Sequence, residues 1–178
     1  MNQLIEKAKK FATEAHKNHT EDDTIKTPYI FHLQRVARLV QLSGGSNIEI
    51  ASAWLHDTIE DTETNLEDIK REFGDEIAEI VNGLTDLPEW DELSTIDKKL
   101  AQAERISKEN DSVKRVKLAD QISGGELDAR NTLIDLKKRK EKLEGVMKVI
   151  KVCSGISEGL DKLAEEMYME VKWFLKNS

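Results

Sequence analysis

The 178 residues carry 27 Lys and Arg against 35 Asp and Glu, a formal charge of −8, and 38% of them are hydrophobic. That is one domain's worth of chain with enough apolar matter for a core, which excludes wholesale disorder. A single cysteine, Cys153, excludes an intrachain disulfide and an all-thiolate zinc site. The acidic balance speaks against a nucleic-acid surface, and no apolar run approaches the roughly 18 residues of a membrane span. The opening MNQLIEKAKKFATEAHK is amphipathic and polar rather than a signal peptide, so a cytoplasmic protein is expected. Any catalysis has to come from His, carboxylates and a metal.

In chain order, Leu4, Ile5, Ala8, Phe11, Ala12 and Ala15 recur at helical spacing and give a first helix with one apolar stripe, ended by His16 and a polar run. The pattern predicts a second helix capped by Thr27, with Pro28 at its first position, through Ile30, Leu33, Val36, Ala37 and Val40, stopped by Gly44 and Gly45. Ser46 or Asn47 can cap a third, IEIASAWLHDTIED, apolar on nearly every side and therefore central. LEDIKREF and DEIAEIVNGLTDL, separated by Gly74, read as two short helices with acidic first turns. After the loop LPEWDELST, helices are expected over 97–108, SVKRVKLADQI and LIDLKKRKEKLEGVMKVIKV, with SGGELDARN breaking the periodicity between the last two. A final amphipathic helix carries Ile156, Leu160, Leu163, Met167, Val171 and Phe174. The fold class is all-α: a single-domain helical bundle over residues 1–178, with the helices of 131–176 packed on the rest.

The chemistry concentrates in the third helix. His56 and Asp57 sit inside the most apolar segment of the chain, and His32 lies in the apolar stripe of the second helix. Burying such groups is costly unless they are paired or bind metal. Glu60 and Asp61 follow one turn on, where i,i+4 stacking sets them beside His56 and Asp57, so one turn supplies ligands and the next acid–base carboxylates. Mixed imidazole and carboxylate donors favour Mn²⁺, Fe²⁺ or Zn²⁺. A further carboxylate from a distant helix is needed, and Asp120 is the natural candidate. His16 and His19 read as solvated, while Cys153, Met147, Met167 and Met169 read as packing.

His32, then His56-Asp57, then Asp120 resemble the H…HD…D signature of the HD-domain metal-dependent phosphohydrolases. TPYIFHLQRVARLV, ASAWLHDTIEDTETNLEDIKREFGDEIAEIVNGLTDLP and VKRVKLAD narrow the resemblance to the hydrolase domain of RelA/SpoT-type alarmone enzymes and the small stand-alone alarmone hydrolases, over residues 5–135. The resemblance implies an HD-domain all-α bundle and one Mn²⁺ held by His32, His56, Asp57 and Asp120, with Fe²⁺, Zn²⁺ or Mg²⁺ as alternatives. It further implies that Glu60 and Asp61 serve the attacking water, and that the 3′-pyrophosphate of guanosine tetra- or pentaphosphate is hydrolysed. Lys99 falls near a family lysine that faces the phosphates, Lys26, Arg35 and Lys117 are further cations near the ligands, and Asn131 resembles a ribose-contacting asparagine displaced from position 124.

Two features depart from the family pattern. Glu21, Asp22 and Asp23 occupy a stretch where the family is basic, and Gly124 stands where it has asparagine. They keep open a hydrolase of another nucleotide, or a module that senses a nucleotide without turnover. The KKRKEK run, 137–142, reads as a solvated face.

Overall fold

The computed structural model describes residues 2–21, 26–130 and 134–177, with 126–130 as backbone only. Asp22, Asp23 and Asn131 lie outside the described residues. Helices account for the regular structure, and no strand occurs among the described residues; Thr20 and Pro28 form one isolated bridge. None of these helices is long and apolar enough to cross a membrane. The chain resolves into two compact units, Met1–Thr85 and Asp86–Ser178.

The first unit holds α1 (Gln3–Ala15), α2 (Ile30–Leu42), α3 (Asn47–Leu55), α4 (Thr58–Asp61), α5 (Leu66–Phe73) and α6 (Asp75–Leu84). As its all-round apolar pattern requires, α3 is central: α1, α2 and α6 all pack on it, and its residues from Glu49 to Leu55 are buried. Ser46 caps it in a reciprocal capping box with Glu49, satisfying donors that the first turn leaves orphaned. Gly74 separates α5 from α6 at φ 86°, a left-handed conformation that favours glycine.

Two expectations for this unit are corrected. Helix α2 starts at Ile30 rather than at Pro28, with Tyr29 before it and no side-chain cap from Thr27. Pro28 is instead engaged in the bridge with Thr20, and the Tyr29 N–H donates to the His19 carbonyl at 3.0 Å, so a local pairing of two chain segments replaces the expected cap. The expected long third helix breaks after Leu55 and resumes at Thr58. His56 Nδ1 bonds the Ala53 carbonyl at 2.9 Å, the acceptor that the Asp57 N–H would use in an unbroken helix, and Asp57 sits at φ −97°, ψ 0°.

The second unit holds a short 3₁₀ turn (Pro88–Trp90), α7 (Thr95–Ser107), α8 (Asp111–Arg130), α9 (Leu136–Cys153) and α10 (Glu158–Asn177). Helix α9 packs on α7, α8 and α10. Contrary to the break expected in SGGELDARN, α8 runs straight through Gly124 and Gly125, where packing on α9 and α10 overrides the low helix propensity of the glycine pair. Within KKRKEK, Arg139 is buried rather than solvated, because it falls on the inward side of α9.

Gly145 of α9 lets α7 approach closely. A Cβ at this position would lie 2.7 Å from Lys99 Cβ and 2.8 Å from its Cγ. Those atoms sit next to the α7 backbone and cannot swing away, so Gly145→Ala is expected to cost about 1–3 kcal/mol through overpacking. Urea denaturation of the variant measures it.

Candidate metal centre

In the first unit, three side chains converge from α2 and from the break between α3 and α4. His32 Nε2 and His56 Nε2 are 3.4 Å apart, and Asp57 Oδ2 lies 3.0 Å from His56 Nε2 and 3.6 Å from His32 Nε2. The two imidazoles are buried and the carboxylate nearly so. Ligand bonds of roughly 2.1 Å at angles between square and tetrahedral put donor atoms about 3.0–3.4 Å apart, so these spacings suit the coordination sphere of a divalent ion. The tautomer suits it too: with the Nδ1–H of His56 donated to the Ala53 carbonyl, its Nε2 lone pair faces the cluster. Two imidazole nitrogens and a carboxylate oxygen form a donor set for Mn²⁺, Fe²⁺ or Zn²⁺.

Asp61, at the end of α4, is tied to this cluster through electrostatics. Its carboxyl is pushed above the usual carboxylate range, first by burial and then by the negative charge of Asp57, with the Tyr29 hydroxyl and the two histidines 16 and 19 partly offsetting the rise. Burial and a like charge both disfavour the anion, which makes Asp61 a better proton acceptor than an ordinary surface aspartate. Glu60 is exposed on the same short helix. An open cleft of about 730 Å³ beside Asp61 is lined by His19, Thr62, Thr64, Asp68 and Arg71, among others, a size suited to a nucleotide.

Three residues of this neighbourhood were not singled out from sequence, or were assigned otherwise. Tyr29 donates its hydroxyl hydrogen to Asp57 Oδ2 at 2.5 Å. His16, expected to be solvated, is buried at 2% exposure and stacks on Tyr29 with ring centroids 5.3 Å apart. Its burial holds its pKa below the ordinary imidazole value. His19 is half-buried, and its Nδ1 is enclosed without a hydrogen-bond partner among the described residues. The polar run HKNHT hid these placements, since only the return of the chain at Thr20–Pro28 folds the histidines inward. The usable signal was Tyr29 three positions before His32, one helical turn away.

Lys26, proposed for the substrate, is exposed at φ 51°, and Glu21 pairs with Arg35 at 2.5 Å, so this acid is neutralised locally.

In the second unit, Asp120 on α8 pairs with Lys117 Nζ at 3.1 Å and accepts from Gln121 Nε2 at 2.9 Å. Lys99 Nζ of α7 donates to Gln121 Oε1 at 3.0 Å. Burial, reinforced by the charge of Lys117 and opposed by that of Asp120, lowers the Lys99 pKa to about 8. The sequence-predicted cations Lys99 and Lys117 thus gather around the sequence-predicted carboxylate Asp120. Cys153 is buried and its thiol is pushed up to about 12, mainly by burial, so it is an inert packing residue.

Comparison with known proteins places this arrangement. The HD domain family model matches residues 8–148. The guanosine-3′,5′-bis(diphosphate) 3′-pyrophosphohydrolase MESH1 of Xenopus tropicalis is 39% identical over 121 residues, which are 67% of this chain and 66% of that one. MESH1 of Mus musculus is 30% identical over 172 residues, covering 94% of each chain. Among solved structures, a metazoan ortholog of SpoT that hydrolyzes ppGpp superposes with a TM-score of 0.87 over 96% of both chains at 22% identity, which is a likeness of fold. With a family model covering most of its length and relatives of this identity along nearly all of it, the chain belongs to the HD-domain family, in the company of the MESH1 pyrophosphohydrolases.

Proposed function

We propose that this protein is a metal-dependent phosphohydrolase that removes the 3′-pyrophosphate of guanosine tetra- or pentaphosphate. The observation that carries the reading is the buried convergence of His32, His56 and Asp57 beside a carboxyl of raised pKa, Asp61. The names of the relatives supply the substrate class. His32, His56, Asp57 and Asp120 are the proposed ligands of one divalent ion, Mn²⁺ in first place, with Asp120 assigned from its motif VKLAD rather than from distance. When bound, such an ion polarises a phosphoryl oxygen and acidifies water.

The protein's own residues do the rest. Asp61 takes the proton of the attacking water, a role that a raised pKa suits. Glu60, on the preceding position of α4, orients that water. The water oxygen bonds to the phosphorus joined to the ribose 3′ oxygen, the bond from that phosphorus to the 3′ oxygen breaks, and the 3′ oxygen leaves with one proton, balancing the one taken by Asp61, to give the guanosine 5′-di- or triphosphate and pyrophosphate. Lys99 faces the phosphates, where an anion would draw its lowered pKa back up and hold it charged. Lys26 and Asn131 are proposed substrate contacts.

Glu21, Asp22 and Asp23 favour a second reading, in which another nucleotide is preferred. The pairing of Glu21 with Arg35 removes one of the three from contention. Replacing Asp22 or Asp23 with Arg is expected to lower KM several-fold with kcat unchanged, because like-charge contact costs affinity rather than chemistry. The deciding experiment incubates manganese-loaded protein with guanosine tetraphosphate and with a panel of guanine, adenine and pyrimidine nucleotides, and separates the products by ion chromatography. Release of GDP and pyrophosphate is expected. No pyrophosphate from the tetraphosphate, alongside rapid cleavage of another nucleotide, transfers the assignment to that nucleotide.

A further inference from the structure

Asp57 differs from the two histidines in how it is held. His56 is fixed by its bond to the Ala53 carbonyl, and both rings are enclosed by the core. Asp57 lies in the two-residue break between α3 and α4, where the backbone hydrogen-bond pattern of a helix is interrupted. A short carboxylate side chain at such a point can rotate away from the cluster, and something outside the break has to hold its Oδ2 against the imidazoles.

Tyr29 does this. Its hydroxyl donates to Asp57 Oδ2 at 2.5 Å, in the range of a short charge-assisted bond, and this oxygen is the one that faces both histidines. The ring itself packs against two imidazoles. His16 stacks on it at 5.3 Å and 21°, and His32 lies against it at 5.3 Å and 45°. Its backbone N–H is taken by the His19 carbonyl at 3.0 Å. His16 is in turn anchored to α1, with Nδ1 3.0 Å from the Ala12 carbonyl oxygen. Four rings, His16, Tyr29, His32 and His56, therefore run in series from α1 to the cluster at centroid spacings of 5.3 Å.

We propose that Tyr29 is a positioning residue for the ligand Asp57, and that His16 is the stacked backing that fixes the angle of the Tyr29 ring. This deepens the proposed function and rests on the reading of His32, His56 and Asp57 as ligands. A hydrogen bond to a ligating carboxylate sets its orientation before the ion arrives, so its loss appears in metal affinity more than in turnover at saturating metal.

The test measures Mn²⁺ affinity by calorimetry on chelator-stripped full-length protein, with thermal unfolding of the stripped protein alongside. Tyr29→Phe, which keeps the ring stack and removes only the hydroxyl, is expected to weaken Mn²⁺ binding about 10–100-fold. Its melting temperature in the stripped state stays close to that of the parent protein. His16→Phe keeps a stacking ring and is expected to retain parental affinity, whereas His16→Ala weakens it. Parental Mn²⁺ affinity in folded Tyr29→Phe overturns the proposal for Tyr29, and equal affinities in the two His16 variants overturn the role of the stack.

Asp57→Ala separates this from failure of the underlying reading. If Asp57→Ala still binds Mn²⁺ like the parent, the ligand assignment itself is wrong; if it loses the ion while Tyr29→Phe keeps it, only the positioning role falls. Should Tyr29→Phe not fold, the chain's two tyrosines allow a direct measurement. With Tyr168→Phe in place, Tyr29 is the sole tyrosine, and its ultraviolet resonance Raman doublet is expected to report a strong hydrogen-bond donor. A doublet characteristic of a solvated or accepting phenol overturns the proposal.

Discussion

His56→Ala is expected to abolish divalent-ion binding and to lower kcat/KM by at least about 10³-fold, the largest loss of any single substitution outside the other proposed ligands. His56 is 1% exposed, its ring orientation is set by the Ala53 carbonyl, and its Nε2 is 3.4 Å from that of His32 and 3.0 Å from Asp57 Oδ2. Alanine removes one imidazole donor from the cluster and leaves its buried volume unfilled. Polarisation by the ion is worth several kcal/mol in the transition state, and each 1.36 kcal/mol is about a factor of ten in rate. Metal content by plasma emission, read together with far-ultraviolet circular dichroism, checks the expectation. A folded variant with full metal content and near-parental turnover would falsify the centre.

Asp61→Asn is the second large effect, and it should part activity from stability. Removing the proposed general base is expected to cost about 10²–10⁴-fold in kcat, while the ion stays bound because Asp61 is placed one turn beyond the proposed ligand Asp57. In the metal-free protein the sign for stability is opposite. The folded-state pKa of Asp61 is raised by burial and by Asp57, so the fold favours its protonated form. That contribution is present below the ordinary carboxylate pKa and is lost as pH rises through the raised value. Metal-free Asp61→Asn is therefore expected to melt above the parent protein at pH 7 and to lose this advantage as the pH falls toward 4. Equal melting temperatures across that range would show that Asp61 carries no electrostatic strain, and metal loss in the variant would make it a ligand. Trading stability for a poised carboxylate is a common feature of catalytic sites.

How much of this was legible beforehand depends on the range over which each signal acts. The helices of α1, α5, α6 and α10 follow from apolar periodicity, and Ser46 with Glu49 announces the start of α3 by a capping pattern contained in four residues. The depth of His32 and His56 follows from the same stripes. A buried imidazole next to an aspartate in the most apolar helix already pointed to a cation, and the residues around it carried the resemblance to the HD family. These are local or periodic properties, and each residue contributes to them through neighbours within a turn or two of the chain.

What the sequence did not disclose depends on groups meeting through space. The break at His56-Asp57 arises because an imidazole competes with a backbone N–H for one carbonyl, which propensity does not register. The burial of His16 and the reach of Tyr29 to Asp57 need the chain to double back at Thr20–Pro28, a pairing between segments whose compositions look like a solvated loop. The clustering of Lys99 and Lys117 about Asp120 and Gln121 likewise joins α7 to α8, and Lys99 sits there because Gly145 on α9 leaves room for it. Residue types and their period along one helix determined which groups could be ligands, acids and cations. Tertiary packing decided which oxygen faces which nitrogen and which carboxyl loses its water, because distance and desolvation are properties of neighbours that the linear order does not contain.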